Sequence, residues 1–167
     1  MSKRSVQLHL LRHAHAGDPA KWAGPDFDRP LSVKGRAQAD ALGAHLAQLG
    51  QSFDLLLSSP LVRARQTAEH IAARLGLAVV IDDRLAGSGG VLGPAALDAI
   101  LSDQGDPDRP ILVGHDPDFS DLVASLAGAS DVPMRKGTLA RIDLDRPLQA
   151  GAGVLVFLLP PEVIARP

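Results

Sequence analysis

The stretch Val6-Gln7-Leu8-His9-Leu10-Leu11-Arg12-His13 decides the fold. A short apolar run ends in a permanent cation and a titratable imidazole, then opens into a polar, Gly- and Pro-punctuated segment from His15 to Pro30. The pattern predicts a first strand over 6–11, with Arg12 and His13 at its carboxyl end, where ligands bind in open α/β sheets. A guanidinium offers phosphate a planar fork of donors. A neutral imidazole can attack phosphorus and form a covalent intermediate.

The rest of the chain alternates between strand and helix signals. Ser32 is placed to cap a helix running to about Gln48, with Ala39, Leu42, Leu46 and Leu49 on one face and Gly50 closing it. Asp54 to Leu57 reads as a short buried strand. A second helix is expected to start at Pro60, with Leu61, Ala64, Ala68, Ile71 or Ala72, and Leu75 as its apolar stripe and Gly76 at its end. Ala78–Ile81 reads as a third strand, Gly87–Gly93 as a Gly-rich loop and Pro94 to about Ser102 as a short helix. Pro110–Val113 is a fourth strand, followed by a helix from Pro117 to Gly128 with Phe119, Leu122, Val123 and Leu126 inward. Thr138–Leu144 and Val154–Leu159 read as a closing antiparallel pair. This alternation predicts one α/β domain over 1–167, a three-layer α/β/α sandwich around a mainly parallel sheet.

Composition removes several classes of function. At 167 residues and 46% apolar, the chain can bury a core without staples. With 3% aromatics and no Tyr it lacks base-stacking platforms, and its 17 basic and 19 acidic residues leave no charged arm, so a nucleic-acid partner is not expected. The absence of Cys excludes disulfides, thiolate catalysis and zinc–thiolate sites. The N-terminal apolar run is interrupted by His9, Arg12 and His13, too soon for a signal peptide, and no run has membrane-spanning length. The expectation is a cytoplasmic protein that does not engage membranes.

Three groups fall just after three strands: Arg12 and His13 after the first, Arg63 in the first turn of the helix after the second, and His115 after the fourth. Parallel strands direct these ends to one edge, so a single cleft can hold all four. Arg63 lies off the apolar stripe, near a helix N-terminus that favours anions. Two guanidiniums, an imidazole and a helix end describe a site for a dianion.

These residues resemble the histidine phosphatase superfamily. Leu11-Arg12-His13-Ala14 is similar to its RHG motif, Ser58-Ser59-Pro60-Leu61-Val62-Arg63-Ala64-Arg65-Gln66-Thr67-Ala68 to its second motif, and Gly114-His115 to its third. Arg29-Pro30-Leu31-Ser32 with Lys34-Gly35 fits the stretch between the first two. The resemblance implies a phosphoglycerate-mutase-like fold. It also implies a metal-independent phosphatase without a cofactor, with His13 as nucleophile and Arg12, Arg63 and His115 holding the phosphoryl oxygens. The small size resembles the phosphohistidine phosphatase (SixA) branch, which lacks a large inserted cap. The implied partner is a phosphohistidine-bearing protein, such as a phosphotransfer domain, or a small phosphate substrate.

Two departures bear on the chemistry. Ala14 replaces the usual Gly, which is tolerable at negative φ. Larger relatives carry a carboxylic acid for an alcohol leaving group. Here the only Glu residues are Glu69 and Glu162, and Ile81 to Gly90 holds none. An imidazole leaves more readily than an alkoxide, so phosphohistidine is the favoured substrate and a small phosphomonoester the alternative. Asp116 stands where acid phosphatases of the superfamily carry their acid; its other role is the cap of the following helix.

Other readings remain open. His13-Ala14-His15 with Asp18, joined by His115 and Asp116, fits part of an HxH metallo-hydrolase pattern, although Ala16-Gly17-Asp18-Pro19 lacks its Asp-His pair. A phosphoprotein-binding module without turnover is a second possibility. Arg65 competes with Arg63 for the site. His9 is expected to be structural, His45 and His70 to lie on helix surfaces, and Trp22 to anchor its loop, with a place on the substrate rim as its lesser alternative; for His15 and Asp18, in the first loop, bordering the cleft is a minor reading.

Overall fold

The computed structural model describes residues 4–87 and 92–164. Of the Gly-rich segment expected over 87–93, positions 88–91 lie outside the described residues. The elements are β1 (Ser5–Arg12), α1 (Val33–Gln48), β2 (Leu55–Ser58), α2 (Val62–Leu75), β3 (Val79–Ile81), α3 (Pro94–Asp103), β4 (Pro110–Gly114), α4 (Asp118–Ala127), β5 (Leu139–Asp145), β6 (Val154–Leu159) and a last turn, α5 (Pro161–Ile164). Short 3-10 turns at Pro19–Lys21 and Asp26–Asp28 interrupt the long β1–α1 connection, and another lies at Asp83–Leu85.

The six strands form one sheet in the order β3-β2-β4-β1-β5-β6. β3, β2, β4 and β1 pair in parallel, whereas β5 runs antiparallel to both β1 and β6. The sandwich follows from alternation along the central strands. Leu8, Leu10, Leu55, Leu57 and Leu112 pack into one layer with α3 and α4, through Leu97, Ile100, Phe119, Leu122 and Val123. Leu11, Leu56, Ile111 and Val113 pack into the other with α1 and α2, through Leu42, Leu46, Ala64, Ala68 and Ile71. His9 shares the second face. Its ring meets Phe53 edge-on at 5.0 Å and its Nδ1 lies 3.3 Å from the Pro110 carbonyl, a structural role that burial enforces by lowering its pKa to about 4.

Handedness positions the site. From β1 the chain moves through α1 to β2 and through α2 to β3, then reverses through α3 to β4. Right-handed crossovers place helices on opposite faces when the direction of travel reverses. Neighbouring β1 and β4 are therefore followed by helices on opposite faces, which opens a crevice at their carboxyl ends. Arg12 is in register with Gly114 across that pair, so His13 and His115 leave it side by side.

Several boundaries differ from the expectations. α2 begins at Val62 and α4 at Asp118, one to two residues after the prolines that were expected to open them. Leu49 is the C-cap of α1 and is exposed rather than part of its inward stripe. Thr138 precedes β5, and β3 is an edge strand with Val80 and Ile81 exposed. Propensity places elements well, but end residues are set by local turns.

Candidate active site

His13 lies at the floor of the crevice, 4% exposed. Its backbone N–H donates to the Gly114 carbonyl at 3.0 Å, which ties it to the end of β4. Gly137 clamps the opposite side, its N–H shared between the Arg12 and His13 carbonyls at 3.1 and 2.9 Å. The ring Nδ1 sits 2.8 Å from the Ala14 carbonyl, and Nε2 receives the Arg63 Nε–H at 3.3 Å. A carbonyl can only accept, so the proton is on Nδ1 and the lone pair is on Nε2. Burial is the main force holding the ring neutral, with His115, Arg63 and Arg12 adding to it, and the His13 pKa falls to about 2.

The segment after His13 is braced by polar contacts. Ala14 N–H donates to Thr67 Oγ1 at 3.1 Å, and the same hydroxyl donates to the Arg63 carbonyl at 2.7 Å. Among the described residues only Asp106 is a non-glycine with positive φ, so Ala14 sits in the backbone region that a methyl tolerates. Gly35 of α1 lies against the His15 carbonyl, which a Cβ there would overlap.

Arg63 and Arg12 approach from two elements. Arg63, at the second position of α2, is buried, whereas Arg65 is exposed and pairs with Glu69 at 3.7 Å. Of the two arginines, Arg63 is the one that the fold turns toward His13. Arg63 donates to the Asp26 carbonyl through Nη1 at 2.8 Å and to the Asp26 carboxylate through Nη2 at 3.0 Å. Arg12 donates through Nη1 to the Met134 carbonyl at 2.7 Å and to Asp116 at 3.2 Å, while its buried Nε has no hydrogen-bond partner.

The His115 ring centroid is 5.1 Å from that of His13. Its Nε2 lies 2.7 Å from Ser59 Oγ, and its buried Nδ1 is unpartnered. Burial, followed by Arg63, lowers its pKa to about 4. Gly114 is required before it, because a Cβ would come within 2.5 Å of the Phe119 ring. Two buried nitrogens of the sequence-predicted site, Arg12 Nε and His115 Nδ1, are thus left without hydrogen-bond partners, whereas buried polar groups are normally paired.

Asp116 does not occupy the N-cap position, which falls on Pro117. Its Oδ1 nonetheless accepts the Ser120 N–H at 3.2 Å while Oδ2 accepts from Arg12. Burial raises its pKa more than Arg12 lowers it. Glu69 and Glu162 pair with Arg65 and Arg135. Lys136 adds a further cation, whose pKa is lowered first by burial and then by Arg29, Arg12 and Arg63.

The side chains of the HxH pattern are engaged separately. His13 Nδ1 is on the Ala14 carbonyl, His15 Nδ1 on Ser32 Oγ at 2.7 Å, and Asp18 on the Ala20 N–H at 3.0 Å. Among the described residues no three His, Asp or Glu side chains are grouped to hold a metal ion. Trp22 does anchor its loop, through Nε1 to the Pro25 carbonyl at 2.9 Å. With Asp18, Lys21 and Arg29 it lines a cavity of about 320 Å³. No helix among the described residues is long and apolar enough to cross a membrane. Asp26, Ser59, Thr67 and Lys136 were not singled out by the sequence. Ser59 and Thr67 lie inside the second motif, and that proximity was the available signal.

Comparison with known proteins matches residues 8–89 to the histidine phosphatase superfamily (branch 1). An uncharacterised protein of Picosynechococcus sp. is 40% identical over 124 residues, 73% of each chain. The protein histidine phosphatase SixA complexed with tungstate has the same fold, with a TM-score of 0.79 at 24% identity over 95% of this chain and 99% of that one. A structure from Agrobacterium tumefaciens assigned as phosphohistidine phosphatase SixA superposes with a TM-score of 0.73 at 25% identity, over 93% of this chain and 98% of that one.

Proposed function

Because the chain belongs to the histidine phosphatase superfamily, we propose that it hydrolyses phosphoryl groups through a phosphorylated His13. The observation that carries this reading is the imidazole itself: buried, neutral, with Nδ1–H on the Ala14 carbonyl and Nε2 on the Arg63 side. Nε2 forms the N–P bond as the bond to the leaving group breaks. Water then attacks phosphorus, the N–P bond breaks with its electron pair returning to Nε2, and inorganic phosphate departs as H2PO4−, carrying both protons of the water.

Beyond the N–P bond that His13 makes and breaks, positioning and charge dominate phosphoryl transfer. Arg12 Nε, the Arg63 side edge and His115 Nδ1 supply donors to the equatorial oxygens. With the Ser59 hydroxyl donating to Nε2, neutral His115 carries its proton on Nδ1. Nothing in this sequence of steps calls for a metal or a cofactor.

The substrate class we favour is phosphohistidine on a protein. Both Glu residues are engaged with arginines elsewhere, and the SixA structures share the whole fold. A leaving imidazole departs as a neutral molecule once protonated, so it depends less on an enzymatic acid than an alkoxide does. The second reading, a small phosphomonoesterase with Asp116 as acid, is favoured by the upward shift of that carboxyl beside Arg12. Turnover of a phosphohistidine peptide against a panel of phosphate monoesters, with chelator present, separates the two. Preference for the peptide supports the first, preference for esters supports the second, and loss of all activity on chelation overturns both.

A further inference from the structure

An arginine has five N–H donors in a planar fork, and the contacts of Arg63 determine which of them face a ligand. Nε points at His13 Nε2. Nη1 and Nη2, the outer edge of the fork, are both taken by Asp26: Nη1 by its backbone carbonyl at 2.8 Å and Nη2 by its carboxylate at 3.0 Å. What remains toward His13 is the side edge, Nε with the second Nη2 hydrogen, a geometry suited to two oxygens of one phosphoryl group.

Asp26 is itself held in place. Its other carboxylate oxygen accepts from Arg29 Nε at 2.9 Å, and the buried Arg29 is fixed by Nη1 on the Ala16 carbonyl at 2.9 Å. The Arg29 and Arg63 guanidiniums keep the carboxyl below the usual range, Arg29 first, so it is ionised at neutral pH. The Asp26 side chain is 59% exposed. Its partners Arg63 and Arg29 are 9% and 7% exposed, so Asp26 sits at the rim as the counter-charge of two buried guanidiniums; breaking such a pair also costs stability, which thermal unfolding of the variants reads separately from turnover.

We infer that Asp26 is a positioning residue: its carbonyl and carboxylate clamp the outer edge of Arg63, so that the side edge stays aimed at the atom that carries the phosphoryl group. The inference rests on the phosphatase reading of His13. It assigns a role in catalysis to the 3-10 turn at Asp26–Asp28, far in sequence from the residues it serves.

The test compares wild type, Asp26→Ala, Asp26→Asn, Arg63→Ala and the Asp26→Ala/Arg63→Ala double variant. Readouts are turnover of an aryl phosphate, inhibition by inorganic phosphate, direct phosphate binding by calorimetry, and thermal unfolding. Small misplacements of a positioned group cost up to ~100-fold, so Asp26→Ala is expected to lower kcat by about 10- to 100-fold and to weaken phosphate binding in parallel. Asp26→Asn, which keeps one oxygen, falls between. In the Arg63→Ala background, removing Asp26 changes turnover by less than about twofold, because coupled residues are not additive.

Asp26→Ala within about twofold of wild type overturns the inference, as does a full additional loss in the Arg63→Ala background. Tighter phosphate binding with faster turnover also overturns it, since Asp26 would then be a competitor for Arg63. If Asp26→Ala unfolds, Asp26→Asn with an unchanged melting temperature carries the same comparison. His13→Ala separates the two levels. If it retains turnover, the His13 reading fails, while the Asp26–Arg63 coupling is still decided by phosphate binding.

Discussion

Lowering the pH from 7 to 5 should weaken the fold while leaving the nucleophile ready. His9, His13 and His115 have pKa values lowered from 6.5 to about 4, about 2 and about 4, each mainly by burial. In the unfolded chain all three take up protons below 6.5; in the folded chain they stay neutral to about 4 or lower. Their contribution is therefore intact above pH 6.5 and is lost as the pH falls from 6.5 toward the folded values. At pH 5 each group costs roughly 2 kcal/mol relative to pH 7, or about 6 kcal/mol for the three. That is comparable with the whole stability of many domains, ~5–15 kcal/mol. Asp116, raised in the fold, acts in the opposite sense but is a single group.

Urea unfolding at pH 7, 6 and 5 measures this loss. The slope near pH 5 approaches ~4 kcal/mol per pH unit in wild type and is smaller by roughly a third in His9→Gln, which removes one titrating group remote from the site. Over the same range, ring NMR should show His13 unprotonated in the folded protein. An ordinary histidine of pKa about 6.5 would be only ~3% neutral at pH 5. A flat stability from pH 7 to 5, or a His13 ring titrating near 6.5, would refute the burial argument.

Asp116→Asn should lower ester hydrolysis by about 10²–10⁴-fold if the carboxyl donates a proton, and should leave phosphohistidine turnover nearly unchanged; parallel steady-state assays on the two substrates decide it. Gly35→Ala should lower the melting temperature and turnover together, because the added methyl overlaps the His15 carbonyl and pushes the segment after His13 away from α1. Normal melting and turnover in that variant would show that the loop yields without cost.

The layers were legible because burial imposes a period. Leu8 and Leu10 alternate with His9 and Leu11, and the structure sends the two sets to opposite faces of the sheet. The meeting of Arg12, His13, Arg63 and His115 was legible for a related reason: parallel strands with right-handed crossovers deliver their carboxyl ends to one edge. What stayed hidden was the layer of contacts that aims those groups. Asp26 reaches Arg63 across 37 positions and Ser59 meets His115 across 56. Such bonds link loops or element ends, where sequence carries no periodic signal. Asp116 shows the same limit. Its place before a helix suggested a cap, and it does accept the Ser120 N–H, but its bond to Arg12 depends on the pairing of β1 with β4.

The most direct measurement traps the phosphoryl group during turnover. Wild type and His13→Ala are mixed rapidly with substrate labelled in the phosphoryl group, quenched in alkali to preserve phosphoramidate bonds, and mapped by peptide mass spectrometry. The geometry predicts a label on His13 in wild type, and neither label nor turnover in His13→Ala with its fold retained. A label on another residue, or wild-type turnover without His13, would contradict it.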